Sequence, residues 1–340
     1  MFLLKQKNQR KKNMKDNNLY SKFISLLQEE QIDGSYRVIN IAPDCAHLIG
    51  CSKDGYPILF ISTSDNIKTS DIKLELVTVM FNRSCAVHII DTNEESTNKY
   101  SIIQLNSHHT DLQRYFIEVV NLVLLRLGPS PDTTVLKSEI GKVIQLFTVS
   151  KPISMEVVRG LWAELLLIYL SKDPDYLINA WHVTPEDKYD FNDGASKVEV
   201  KSTTGSERKH VFSIDQLNPE SGTDLIIAST FVIQTGIGKS VFDLMDMISL
   251  SITTDEGLLK LQEVVLTTIG AHIDEVSNYF FDYSRAVSEY KLYDYRDVPT
   301  ILKKDVPSSV TKVSFQSDLT GVNSIEKETI NKDILLHSKL

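Results

Sequence analysis

Cysteine is scarce in these 340 residues: Cys45, Cys51 and Cys85 are the only three, and no CxxC pair is present. An odd, unclustered set supports neither a disulfide framework nor a zinc knuckle. Cys45 and His47 could be half of a metal site, but no second pair follows, and buried thiols are the plainer reading. Long apolar runs are missing too. The longest candidate, LWAELLLIYL, contains an acid and falls well short of the roughly 20 residues of a membrane span. The FLL near the N-terminus is too short for a signal-peptide core. No membrane partner is expected, and the chain reads as soluble and cytoplasmic.

An excess of positive charge is also lacking. The 36 Lys and Arg are outnumbered by 45 Asp and Glu, for a net charge of −9. Such a chain is not steered as a whole toward nucleic acid, so any such contact must come from a local patch. Residues 1–15 (MFLLKQKNQRKKNMK) are the exception, with six basic residues and no acid. They read as a disordered basic tail, or as residues upstream of a start at Met14, with contact to phosphate as the rival use.

No internal repeat or low-complexity linker divides the chain, and its length suits one large or two moderate domains. Residues 16–130 read as a β-rich region with helices, in which strand-like pieces (YRVINIA, HLIGCS, YPILFIS, DIKLELVTVMF, CAVHIIDT) precede the helical TDLQRYFIEVVNLVLLRLG, stopped by Gly128 and Pro129. Residues 131–250 read as an α/β core. There a helix over ISMEVVRGLWAELLLIYLSKDP, with Pro174 past its end, leads into three short strands (INAWHVT, KYDF, KVEVKST), then HVFSI and the apolar DLIIASTFVIQT. Residues 251–340 read as a helical region with a final strand, VTKVSFQSDL.

What is present in the core is an unusual hairpin, YDFNDGASKVEVKST (189–203). Side chains alternate along a strand, so Val198 and Val200 share one face while Lys197, Glu199 and Lys201 share the other. The simplest arrangement buries Val198, Val200, Tyr189 and Phe191 together and sets Asp190, Glu199 and Lys201 on the opposite face. Asn192, Asp193 and Gly194 supply the turn. Two carboxylates side by side repel unless something neutralises them. A hard divalent cation does so, and Mg²⁺ commonly takes one or two protein carboxylates. Lys201 would then be a fixed charge able to hold a phosphate oxygen or orient an attacking water. The rival is an ordinary surface hairpin whose charged face meets water.

This spacing resembles the PD-(D/E)XK nuclease superfamily, with Asp190 as its aspartate and Glu199-Val200-Lys201 as its (D/E)XK; Tyr189 stands where Pro is usual. The wider context GLWAELLLIYL, AWHVTPEDKYDF, VEVKST and RKHVFSIDQL resembles the bacterial "PD-(D/E)XK motif" proteins of phage-defence gene clusters, over roughly residues 150–250. The resemblance implies a restriction-endonuclease-like α/β core and Mg²⁺-dependent hydrolysis of DNA phosphodiester bonds, with Mn²⁺ able to substitute. It also implies metal ligation by Asp190 and Glu199, with Glu164, and partner proteins from a defence system; a homo-oligomer is compatible with it.

Glu164 lies alone among apolar residues of its helix and needs a partner if ionised. It matches the superfamily's helix acid near the metal, or else sits on an exposed stripe paired with Arg159 or Lys172. Gln216 matches a polar residue that follows the catalytic lysine, or else caps a turn. The loop 202–210 carries Arg208, Lys209 and His210, which could reach phosphates or simply be solvated. TGIGKS (235–240) imitates a phosphate-binding loop, but Ile233 stands where its first Gly is required, which excludes nucleotide hydrolysis there. His108 and His109 form no constellation. The sequence therefore leads to a DNA endonuclease of bacterial defence, or alternatively to a nucleic-acid-binding or scaffold subunit of a multi-protein complex, catalytically silent alone.

Overall fold

The computed structural model describes residues 19–28, 34–42, 45–67, 69–147, 153–182, 187–270, 272–326, 330 and 333–340. The basic tail at 1–15 lies outside them. The chain divides into two compact units, one up to residue 151 with Gly270–Asp274, the other from 152 to Ile269 and from Glu275 to Leu340.

In the first unit, β1 (Tyr36–Asn40), β2 (Leu48–Cys51), β3 (Pro57–Ile61), β4 (Ile72–Lys73), β5 (Val77–Ile89) and β6 (Glu94–Leu105) form one sheet in the order β1-β2-β3-β6-β5-β4. β1 also pairs in parallel with the far end of β5, Val38 opposite Ile89, so five strands close into a circuit. Closure needs a bend in β5, and the β5–β6 register shifts between Met80 and Arg83. Asn82 there takes the left-handed conformation that Asn tolerates (φ 49°). Alternate apolar residues fill the interior, among them Val38, Leu48, Phe60, Val87, Tyr100 and Ile102. Two helices, Thr110–Leu127 and Thr133–Leu146, complete this unit with Leu19–Leu26. His47 is structural here: its Nε2 lies 3.1 Å from the Gly128 carbonyl and its Nδ1 accepts from the Ser62 amide at 3.2 Å.

The second unit opens with the helix Met155–Leu170. Ser154 caps it by accepting from the Val157 amide, and its buried residues lie on nearly every face, so it is a core helix rather than an amphipathic one. Pro174 lies past the end of this helix, as expected, and it also occupies the first turn of a second one, Pro174–Ala180, which Asp173 caps. The expected strand INAWHVT is thus helical in its first three residues, and Trp181 makes a single bridge to Phe191.

The central sheet runs β13 (Lys291–Asp294), β10 (Asp224–Phe231), β8 (Ser196–Thr203), β7 (Phe191–Asn192). β8 and β10 are parallel and buried, as interior strands of such sheets are. Strand β9 (Lys209–Ser213) instead pairs with β14 (Ser314–Asp318), and β11 (Gln234–Thr235) with β12 (Phe280–Phe281). The helices Val241–Ser249 and Asp255–Ile269 belong to the same unit.

TGIGKS is explained by packing. A Cβ on Gly238 would meet the Phe281 carbonyl oxygen at 2.1 Å, so the backbone approach demands glycine. Ser240 then forms a capping box with Asp243 at the start of the next helix. Among the described residues, no helix is long and apolar enough to cross a membrane.

Candidate active site

The turn that builds the hairpin behaves as its residues require. Gly194 adopts a positive φ of 93°. Asn192 Oδ1 accepts from its amide at 2.8 Å, and Asp193 Oδ1 accepts from Ala195 and Ser196 at 3.0 and 2.8 Å. The pairing Phe191↔Val198 follows, and Asp190, the residue before it, lies close enough to Glu199 for their charges to interact. Ahead of β7 the chain bends at Lys188–Asp190 instead of continuing as the strand KYDF.

That bend corrects one expectation. Tyr189 does not join Val198 and Phe191; it enters a cluster with Phe212, Leu217, Leu225 and Ile227. Leu225 and Ile227 are in register with Lys197 and Glu199, so the charged face of β8 is itself covered rather than open to water. Glu199 is only 2% exposed.

Inside this cover the charged groups are held closely. Lys201 Nζ lies 2.7 Å from Glu199 Oε1, and Gln216 Nε2 donates to the same oxygen at 2.5 Å. Gln216 Oε1 accepts from the Ser213 amide at 3.1 Å and from Lys201 Nζ at 3.4 Å, so Gln216 fixes both members of the pair. Asp190 Oδ2 accepts from the Val200 amide at 2.6 Å. Glu199 Oε2 is buried with no hydrogen-bond partner.

The electrostatics follow from this crowding. Burial, then the charges of Glu199 and Glu164, push the Asp190 carboxyl well above its usual range, against the pull of Lys201 and the Val200 amide. Burial also raises Glu199, opposed chiefly by Lys201. Burial alone would lower Lys201, yet the carboxylates of Glu199, Asp190 and Glu164 outweigh it and raise the ammonium group, which stays protonated.

Glu164 reaches the same place, and not by pairing with Arg159 or Lys172. Its Oε2 accepts from Trp181 Nε1 at 2.7 Å and lies 2.9 Å from His182 Nε2. Donor atoms of Glu164, His182 and Asp190 all lie within 4.8 Å of one another. Sequence reasoning misses His182, whose signal is faint: an imidazole beside a Trp, eight residues before the aspartate, in a stretch that reads as strand. A divalent cation fits this donor set. Three potential ligand atoms converge, and the Asp190 carboxyl among them is forced toward its neutral form, which a cation would relieve; Glu199, whose Oε2 is orphaned, is not one of the three.

Two of the three residues expected to meet phosphate are turned inward, and this corrects the reading of loop 202–210. Arg208 is 3% exposed; its guanidinium donates to the Ser229 carbonyl and hydroxyl, both at 2.9 Å, and to the Glu289 carbonyl at 2.7 Å. It also lies 4.7 Å from the centroid of the Phe231 ring. His210, equally buried, has Nε2 2.7 Å from Ser229 Oγ, and burial with the charges of Lys201 and Arg208 lowers it to about 4. Alternation along β9 explains the split: Arg208 and His210 point in, while Lys209 between them points out and pairs with Glu207.

The family model described as "Putative PD-(D/E)XK family member, (DUF4420)" matches residues 20–320. No curated protein and no solved structure matches the chain. With nearly its whole length matched, the chain belongs to this PD-(D/E)XK family and carries the restriction-endonuclease-like α/β fold that membership implies.

Proposed function

We propose that this family member is a metal-dependent endonuclease that hydrolyses DNA phosphodiester bonds and serves bacterial defence against phage or foreign DNA. The observation that carries the reading is the buried Lys201–Glu199–Gln216 cluster beside Asp190, with one Glu199 oxygen left without a partner. Asp190 and Glu199, with Glu164, would hold Mg²⁺, for which Mn²⁺ can substitute. The bound cation would supply Lewis-acid stabilisation of the charge that develops on the phosphoryl oxygens.

The remaining work falls to side chains. Lys201, kept protonated by the carboxylates around it, offers a fixed positive charge to a phosphate oxygen or an attacking water. Gln216 holds Lys201 and Glu199 in one geometry, which lowers the reorganisation needed when substrate arrives. The defence role rests on the sequence block over residues 150–250 and on its resemblance to phage-defence proteins.

A second reading has its own support. The net charge is −9, and two of the three cationic candidates next to the site are buried in structural contacts. A chain that recruits DNA only within a complex, silent alone, would look like this.

The test is cleavage of plasmid and single-stranded DNA by the purified chain in Mg²⁺ or Mn²⁺, beside EDTA controls and Asp190→Ala. Cleavage that needs the cation and vanishes in the folded variant supports the nuclease. Gel-shift binding that survives EDTA without any cleavage would replace it with the second reading.

A further inference from the structure

The PD-(D/E)XK pattern accounts for Asp190, Glu199 and Lys201. It leaves unexplained why an imidazole is locked against the same carboxylates. The lock is built from several contacts. The His182 amide donates to the Asp190 carbonyl at 2.8 Å, next to the bridge that pairs Trp181 with Phe191. Trp181 stacks on Phe191 with an interplanar angle of 13° and stands edge-on to the His182 ring at 88°. Backbone and rings together therefore deliver His182 and Asp190 to one spot.

We propose that His182 is a ligand of the cation at this site and that it shifts the site's preference from Mg²⁺ toward Mn²⁺ and the later first-row divalent ions. This inference rests on the metal-dependent reading above. Three observations support it. Donor atoms of His182, Glu164 and Asp190 converge within 4.8 Å. The separation of 2.9 Å between His182 Nε2 and Glu164 Oε2 matches the spacing of adjacent ligands in an octahedron with bonds of about 2.1 Å, which is about 3 Å. The buried, unpartnered Oε2 of Glu199 belongs to a carboxylate that interacts electrostatically with both Glu164 and His182.

The chemistry then sets the preference. Mg²⁺ favours an all-oxygen shell; Mn²⁺ also favours oxygen but accepts an imidazole nitrogen more readily than Mg²⁺ does, and the later first-row ions more readily still. The plainer alternative is a His–Glu hydrogen bond that only orients Glu164. A positioning role of that kind would support every ion alike.

The experiment uses the full chain with Mn²⁺ alone as probe. Pulsed electron paramagnetic resonance of the Mn²⁺-loaded wild type is expected to show ¹⁴N coupling from a bound imidazole, absent in folded His182→Ala and His182→Gln. Calorimetric titrations are expected to show Mn²⁺ affinity falling at least about tenfold in these variants, with a smaller fall for Mg²⁺, so that the Mn²⁺/Mg²⁺ ratio shrinks. The wild-type spectrum needs no variant to fold. Bound Mn²⁺ without nitrogen coupling overturns the proposal, as does coupling that persists without His182 or an equal loss of both affinities. If neither ion binds the wild type, the metal-dependent reading itself falls, and this inference with it.

Discussion

Glu199 and Arg208 lie in the second unit, Glu199 on β8 and Arg208 just before β9, at 2% and 3% exposure. The guanidinium is answered by its surroundings: two carbonyls, a hydroxyl, an aromatic face and the Glu289 carboxylate. The carboxylate is not. Lys201 and Gln216 satisfy one of its oxygens, the other has no partner, and Asp190 beside it is pushed toward neutrality. Burying an unsatisfied charge is costly, and a cation held beside it would offset that cost. Burial alone does not set the two apart; the gathering of Glu199, Asp190 and Glu164 around one ammonium group, against a guanidinium met only by acceptors and a ring face, does.

The sharpest way to break this comparison is to remove one cation from each side. Lys201→Ala should lower the cleavage rate of the folded protein by a factor of about 10² or more. Arg208→Ala should do the reverse. Loss of its buried hydrogen bonds and packing should cost about 3 kcal/mol, a fall of roughly 6–12 °C in Tm, with the metal site still assembled in the surviving folded protein. Parallel nicking assays and thermal melts read both. Full cleavage by folded Lys201→Ala, or loss of activity alone in Arg208→Ala, would exchange the two roles.

A smaller effect comes from Asp190→Asn. The folded-state pKa of Asp190 lies above its unfolded value, so its proton stabilises the metal-free fold fully below about pH 4, and that contribution is lost as pH rises through the folded-state value. Metal-free wild type should therefore weaken from acidic toward neutral pH. Asp190→Asn should flatten that decline and raise Tm at pH 7 by about 2–4 °C, of order 1 kcal/mol, even as it abolishes cleavage. Melts of the EDTA-treated proteins across pH check this. Smallest of all is Lys209→Ala: it should leave Tm unchanged, weaken DNA binding modestly and reduce the salt slope of binding by about one, if Lys209 alone of its trio reaches phosphate.

The hairpin is legible in the sequence because its period is strict. Alternation and an Asn-Asp-Gly turn are enough to pair Phe191 with Val198 and to put Glu199 and Lys201 on one face of β8; Asp190, in the bend before β7, is held there by the Val200 amide. The same arithmetic, applied to β9, sends Arg208 and His210 inward and Lys209 outward; reading residues 202–210 as loop hides it. Tyr189 cannot be placed by alternation, because the chain bends before β7 and alternation holds only within a strand. Pro174 lies past one helix, as its sequence position suggests, but the short helix that it opens has no pattern of its own long enough to read. His182 reaches Glu164 through a bridge, an aromatic stack and a sequence separation of 18 residues, and no local pattern encodes that. The closure of β1 onto β5 is likewise a long-range pairing with no short-range signature.

If a divalent cation completes the charge left over around Asp190 and Glu199, its binding must show in stability. Thermal unfolding of the wild type, Asp190→Asn and Arg208→Ala, each in EDTA and in millimolar Mg²⁺ or Mn²⁺, reads this without any substrate. At a cation concentration of about 100 times Kd, binding adds about 2.7 kcal/mol of stability. The wild type should then gain several degrees, Arg208→Ala should gain as much from its lower starting point, and Asp190→Asn should gain little. A wild type whose Tm does not move with cation, or an Asp190→Asn that moves equally, would rule out a cation held by these carboxylates.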